Sequence, residues 1–458
     1  MVERKHKIDE DSELAVKRAK QVEEDVDGDD EFADLTDDEA VVVGKSNLQP
    51  RNFNLYLETI NKKILDFDFE KVCTISLSNT NVYGCLVCNK YLRGRNKDSE
   101  VFQHSINENH HVFINFHTLQ FYIMPENYEL DTKTTESLKE IQLLVNPTYK
   151  PNDLKKLYTD KSMCLDLNKQ PYRRGFIGLN NSGLNDYSNV IIQSLSHVKS
   201  LRDFILMTDS RTFEQLNLVA KFSLVVRKLW WAHLYKPHLS THELMALIES
   251  RSKKLFSLHS CSKPKDFLLW LLNQLNDELS GIKQSIVSKI FQGKLLVNGD
   301  KRIKFWLLTL DLPQVTLFKD GMKLTVPQFE LNELIEQKKY KFVKLPTVLV
   351  ICIDRMKNDT KIVGISGSKM NPSIVKFNPE RLTIGDVNYR LIANVVFDNN
   401  FEDSSITSSD DNHNDHYKVQ LLDDVRNEWL EINDLKFKTI EKDLLFLDQS
   451  YLQFWEKI

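Results

Sequence analysis

Residues 178–193 read Gly178-Leu179-Asn180-Asn181-Ser182-Gly183-Leu184-Asn185-Asp186-Tyr187-Ser188-Asn189-Val190-Ile191-Ile192-Gln193. The stretch opens a region, 172–458, in which apolar residues first recur three or four apart, over Val190–Leu206, Leu216–Trp231 and Asp266–Leu279. That spacing predicts helices. Strand-like runs follow at Phe305–Leu310, Thr347–Ile353, Tyr389–Val396, His416–Leu422 and Trp429–Ile432. Helices first and strands later predict an α+β domain. Between two of these strands, Phe397–Asp415 is acidic and rich in Ser and Asn, and reads as a long solvated loop.

Upstream, a charged segment of about 130–170 marks the boundary with another folded unit. Leu138, Ile141, Leu143 and Leu144 predict a short helix in it, broken by Pro147 and Pro151. The unit before it, about 50–150, is rich in aromatic and β-branched residues. Its stretch Phe113–Ile123 predicts two strands joined by a tight turn. Cys85 and Cys88 stand two residues apart, His104 follows after fifteen residues and His110 after five more. Two cysteines so spaced offer both thiolates to one tetrahedral ion, and a histidine pair can complete a Cys₂His₂ site. By spacing alone His111 serves as well as His110. No neighbouring group reads as a base, so the expected zinc is structural.

Residues 1–45 contrast with the rest. Sixteen of the chain's 65 acidic residues but six of its 61 basic residues fall within 1–40, a net of −10, which leaves the remainder at +6. A block such as Glu23–Glu31 buries too little apolar surface to offset the entropy of ordering, so this tail reads as disordered. Arg4-Lys5 and Lys17-Arg18-Ala19-Lys20 within it are spaced as a bipartite nuclear import signal. No run approaches the roughly 18–20 apolar residues of a membrane span, and the N-terminal residues lack the pattern of a secretory signal. Six cysteines in 458 residues are too few for a disulfide scaffold, which points to a reducing compartment.

Two family resemblances follow from these residues. The stretch from Asn81 through Ile123 resembles the zinc-finger ubiquitin-binding domain of ubiquitin-specific proteases, in a shortened form with one zinc on Cys85, Cys88, His104 and His110. Ubiquitin-binding members of that family follow the second cysteine with Gly-Arg, whose Arg helps hold the free ubiquitin tail. Here Asn89-Lys90 stands instead, and Lys lacks the bidentate fork. Residues 172–458 resemble the ubiquitin-specific protease domain itself, a papain-like cysteine protease fold. Gly178, Leu179, Asn181, Gly183, Tyr187, Asn189 and Gln193 match its cysteine box G-L-x-N-x-G-N-T-C-Y-x-N-x-x-x-Q, but Asp186 holds the place of the nucleophile. Asp415-His416-Tyr417 resembles the box of the catalytic histidine and Trp429–Asp434 that of its orienting partner. By the resemblance His416 is the base, Asn433 the orienter and Asn181 the oxyanion donor.

A carboxylate at 186 is a poor nucleophile towards an amide, and its charge opposes oxyanion stabilisation worth about 3–4 kcal/mol per donor. Its expected role is a salt bridge or hydrogen bond to His416. The combination resembles the inactive, protease-like splicing factors of the snRNP assembly defective family. The resemblance implies a nuclear, non-enzymatic protein that promotes assembly of the spliceosomal tri-snRNP by docking to its proteins, with snRNA as a further candidate partner. The alternative is a ubiquitin reader or a residual deubiquitinase. Trp230, Trp231 and Trp455 are candidate interface anchors, since tryptophan dominates binding hot spots.

Overall fold

The computed structural model describes residues 53–280, 285–297, 301–313, 319–320, 323–324, 326–355, 371–398 and 416–458. The acidic tail, its two basic clusters and most of the loop expected over Phe397–Asp415 lie outside these residues. Leu55–Ile458 form one compact unit.

Its first part is built on an antiparallel sheet in the order β2-β1-β3-β4-β5, with β1 Val82–Cys85, β2 Tyr91–Arg93, β3 Val112–Asn115, β4 Phe121–Ile123 and β5 Tyr128–Glu129. Helix α1, Glu100–Asn107, runs between β2 and β3 and is capped by the Ser99 hydroxyl, which accepts from the Phe102 N–H. The two strands expected within Phe113–Ile123 are β3 and β4, and Asn115 holds their turn by accepting from the His117 and Thr118 N–H groups.

The linking segment corrects the single helix expected there. It forms three short helices, Thr132–Ser137, Lys139–Val145 and Pro151–Leu157. Pro151 opens the third rather than breaking the second, because a first-turn residue needs no N–H and a helical φ suits it.

Five helices follow: α2 Asp186–Ser196, α3 Lys199–Met207, α4 Asn217–Leu229, α5 His242–Arg251 and α6 Pro264–Ser280. The continuous helix expected over Val190–Leu206 is divided between α2 and α3. The His197 ring and the Ser196 hydroxyl both bond the Gln193 carbonyl, and Val198 is extended. A one-turn-and-a-half helix α7, Ile286–Phe291, leads into strands β6 Gly293–Val297 and β7 Lys301–Phe305.

The large sheet runs in the order β8-β10-β15-β11-β12-β13-β14, with Leu382–Ile384 pairing beside β11. Its strands are β8 Leu307–Asp311, β10 Val348–Asp354, β11 Val387–Phe397, β12 Tyr417–Asp423, β13 Glu428–Asn433, β14 Lys436–Ile440 and β15 Ser450–Lys457. Strand β9, Lys341–Lys344, joins β6 and β7 in a separate sheet. The strand expected over Phe305–Leu310 is therefore two, in different sheets. Central β10 (Val-Leu-Val-Ile-Cys-Ile-Asp) is buried at all but its last residue, the near-continuous apolar run of a strand covered on both faces. Cys352 lies inside it, as core. Of the tryptophans expected as anchors, Trp455 is fully buried in this core and Trp230 is 6% exposed, so neither serves as one. Large aromatic rings contribute most where every face is packed.

The two parts are joined by a buried charge cluster. Asp68 accepts from Lys228 on α4 (2.9 Å), Lys236 (3.0 Å) and the Ser240 N–H (3.2 Å), and Lys228 also bonds the Phe67 carbonyl (2.8 Å). Burial alone would push the Asp68 carboxyl up, but the two ammonium groups outweigh it and hold it well below the usual carboxylate range. Asp68→Ala leaves the Lys228 ammonium buried without its carboxylate, and the expected loss of stability is about 3–5 kcal/mol in urea unfolding. A loss under about 1 kcal/mol would exclude the cluster as a joint. The contribution is complete above the unfolded carboxyl value of about 4 and fades as pH falls below it. The difference between wild type and variant therefore shrinks on acidification.

Candidate functional site

The turn that delivers residue 186 is shaped by close backbone approaches. A Cβ on Gly178 would lie 2.7 Å from the Asp434 carbonyl, and one on Gly183 would lie 2.6 Å from the Leu258 carbonyl. Only glycine fits at either place. The other box residues tie the same turn together. Asn189 donates to the Asn180 carbonyl (3.2 Å), Gln193 to the Ile177 carbonyl (2.7 Å), and the Tyr187 hydroxyl to the Ser257 carbonyl (3.0 Å). These residues build the turn and need no chemistry at position 186.

Asp186, the first residue of α2, is 4% exposed. Its Oδ1 accepts from the Tyr187 N–H at 2.8 Å. Its Oδ2 accepts from the Tyr417 N–H at 2.9 Å and meets His416 Nδ1 at 3.1 Å. The carboxylate thus fastens the start of α2 to the start of β12, and the expected contact with His416 is present. The adjoining cavity measures about 10 Å³, room for at most one water.

The other two expected positions are turned to different partners. Asn433 donates to Asp398 Oδ2 at 2.6 Å. Asn181 points its amide nitrogen at Asp434 Oδ2, 3.5 Å away, and its Oδ1 accepts from the N–H groups of Gly183 and Asn185. An oxyanion donor facing a carboxylate is opposed by that charge. Asp434, the last residue of the Trp429–Asp434 box, sits in the β13–β14 hairpin at φ +51°. Burial and then the charge of Asp186 raise its carboxyl above the usual range. Around these groups lies a polar groove of about 630 Å³, lined by Asn181, Asp398, Lys418, Asn433 and Asp434 among others.

A second constellation lies in the first part. Cys85 ends β1, Cys88 follows in a knuckle closed by the Asn89 N–H on the Cys85 carbonyl, His104 stands on α1 and His110 precedes β3. Asn89 takes the left-handed conformation (φ +62°) that the knuckle needs. The four ligand atoms lie within 4.8 Å of one another, with Cys88 Sγ–His104 Nε2 at 3.3 Å and His104 Nε2–His110 Nδ1 at 3.1 Å. Ligands 2.0–2.3 Å from a tetrahedral zinc are spaced about 3.3–3.8 Å apart, so this donor set fits one. The hydrogen bond from Cys85 holds the Cys88 thiol down at about 4 and pushes Cys85 up, the asymmetry of two thiols sharing a proton. His111 is occupied elsewhere, between the Met124 carbonyl (2.6 Å) and Asn109 (2.9 Å). Spacing could not have separated it from His110.

Residues 177–455 match the sequence model of the family described as ubiquitin carboxyl-terminal hydrolase, and residues 73–135 that of the zinc finger in ubiquitin-hydrolases and other proteins. The chain belongs to the ubiquitin carboxyl-terminal hydrolase family, with a zinc finger of that type ahead of the hydrolase-like domain. Within that family it is similar to splicing proteins. The probable mRNA-splicing protein ubp10 of Schizosaccharomyces pombe is 33% identical over 88% of each chain. Pre-mRNA-splicing factor SAD1 of Saccharomyces cerevisiae is 34% identical over 91% of this chain and 96% of its own. Ubiquitin carboxyl-terminal hydrolase 39 of Homo sapiens is 32% identical over 88% of this chain and 79% of its own. The crystal structure of an essential yeast splicing factor superposes with a TM-score of 0.76 at 33% identity, covering 88% of this chain and 100% of that one.

Proposed function

We infer that this chain is a non-catalytic, nuclear pre-mRNA splicing component that promotes tri-snRNP assembly by protein docking, with one structural zinc held by Cys85, Cys88, His104 and His110. The observation that carries the reading is the Asp186 carboxylate, which the cysteine-box resemblance aligns with the nucleophile, bonded by the Tyr417 N–H, the Tyr187 N–H and His416. A carboxylate is a poor nucleophile towards an amide, and here both of its oxygens are already engaged. The names of the relatives supply the splicing context. Retained His416 has a structural use as the partner of Asp186. A fold shaped to grip a protein keeps its concave surfaces when the chemistry is gone.

Affinity purification of the tagged chain from nuclear extract, with RNA and protein identified together, tests this. Enrichment of tri-snRNP RNAs and proteins is the expected result. Recovery of ubiquitin conjugates without those RNAs would overturn it in favour of a ubiquitin reader. Asn89 and Lys90 in place of Gly-Arg speak against that outcome, since the Asn89 amide is tied to the Asp66 carbonyl at 3.2 Å.

A further inference from the structure

The small sheet runs in the order β7-β6-β9. Its inner face, with Leu295, Phe305 and Phe342, packs on the core. On its outer face Lys294 of β6 stands directly opposite Lys304 of β7 on one side and Lys344 of β9 on the other. All three are exposed, and like charges opposed across strands destabilise a sheet. With Lys289 at the end of α7 they line a cleft of about 360 Å³. None of the four forms an ion pair among the described residues, and no carboxylate lines the cleft among them.

A second observation points the same way. Ser285 is 4% exposed, lines this cleft, and its hydroxyl has no hydrogen-bond partner among the described residues. The buried Ser285 hydroxyl carries a cost that an anion with several acceptor oxygens removes, and the neighbouring ammonium groups, unpaired among the described residues, favour such an anion.

We propose that this lysine row is a docking site for the phosphodiester backbone of RNA, held by charge without regard to base sequence. Strand spacing makes the row about 10 Å long, enough for more than one phosphate. The cleft offers ammonium groups and hydroxyls and no guanidinium fork, the point-charge mode in which lysine binds phosphate. The RNA assignment rests on the splicing reading above.

The test uses the full chain and a labelled oligouridylate of about 20 nucleotides, with binding followed by fluorescence anisotropy across a salt series. Each lysine contact to a single strand contributes about 0.7 to the slope of log K against log salt. The triple variant Lys294→Ala, Lys304→Ala, Lys344→Ala is therefore expected to lower the slope by about 2 and weaken binding at least tenfold at low salt. Its melting temperature should not fall, since the substitutions relieve repulsion. Lys97→Ala, Lys133→Ala, Lys155→Ala, three exposed lysines elsewhere, should leave the slope unchanged. An unchanged slope in the first variant overturns the proposal. So does a polyglutamate of equal charge that competes as well as RNA, which assigns the cleft to an acidic protein segment. The extract experiment reports separately: wild-type chain recovered with the tri-snRNP while the lysine variant keeps its RNA affinity sinks this site alone, whereas wild-type chain not recovered sinks the splicing reading.

Discussion

Asp186→Ala is expected to cost about 2–4 kcal/mol of stability, read as a lower urea midpoint with an unchanged slope. The substitution removes the acceptor from the Tyr417 N–H and the partner from a nearly buried His416. Each buried donor that loses a bond costs about 1–3 kcal/mol. Asp186→Asn keeps one acceptor oxygen and should lose less. Asp186→Cys, which puts a thiol where the cysteine-box resemblance places the nucleophile, is expected to remain inert towards a fluorogenic ubiquitin C-terminal amide. Asn433 is bonded to Asp398, Asn181 faces the Asp434 carboxylate, and the space beside position 186 stays small. Turnover above background in that variant would mean that the cleft opens in solution and that a thiol at position 186 is all that activity lacks.

Cys88→Ala is expected to release the metal, from about one equivalent of zinc per chain to near zero by elemental analysis. Structural zinc in small fingers supplies apparent free energies of about 10–16 kcal/mol. The apolar cluster around this site is small, with Tyr83, Leu92, Val101, Phe113, Tyr122 and Met124 packed about Cys85 itself. Without the ion, β1–β4 and α1 should lose hydrogen-exchange protection while α2–α6 and the large sheet keep theirs. Secondary loosening is expected on α4 near Lys228, the helix that receives Asp68. A wild-type protein free of zinc would overturn the assignment.

Much of this molecule was legible in its residues. The turn-and-helix box from Gly178 to Gln193, the helical and strand periods and the Cys85/Cys88 knuckle each follow from local spacing, and local spacing carries the physics that shapes them. What could not be read were pairings across long separations. Asp68 and Lys228 are 160 positions apart, and Asp186 meets the Tyr417 N–H across 231. Exposure was equally hidden. Trp230 and Trp455 carried the composition of anchors, and only the packing of neighbouring elements puts them inside. The break between α2 and α3 depended on Ser196 and His197 bonding backward to Gln193, a contest between side chain and backbone that apolar periodicity does not register. Pro151 misled for a related reason, since its effect depends on which turn of a helix it occupies.

The charge cluster at Asp68 has a consequence for recognition. Two modules on a loose tether reach a common target in sequence, and the second contact is diluted by every orientation the tether allows. Here finger and protease-like scaffold are held at a set spacing before any encounter. A partner that touches both meets a prearranged jig, and the orientational freedom that binding would otherwise remove has already gone when the chain folds. Loosening Asp68 should therefore weaken a bivalent partner more than either half-contact measured alone.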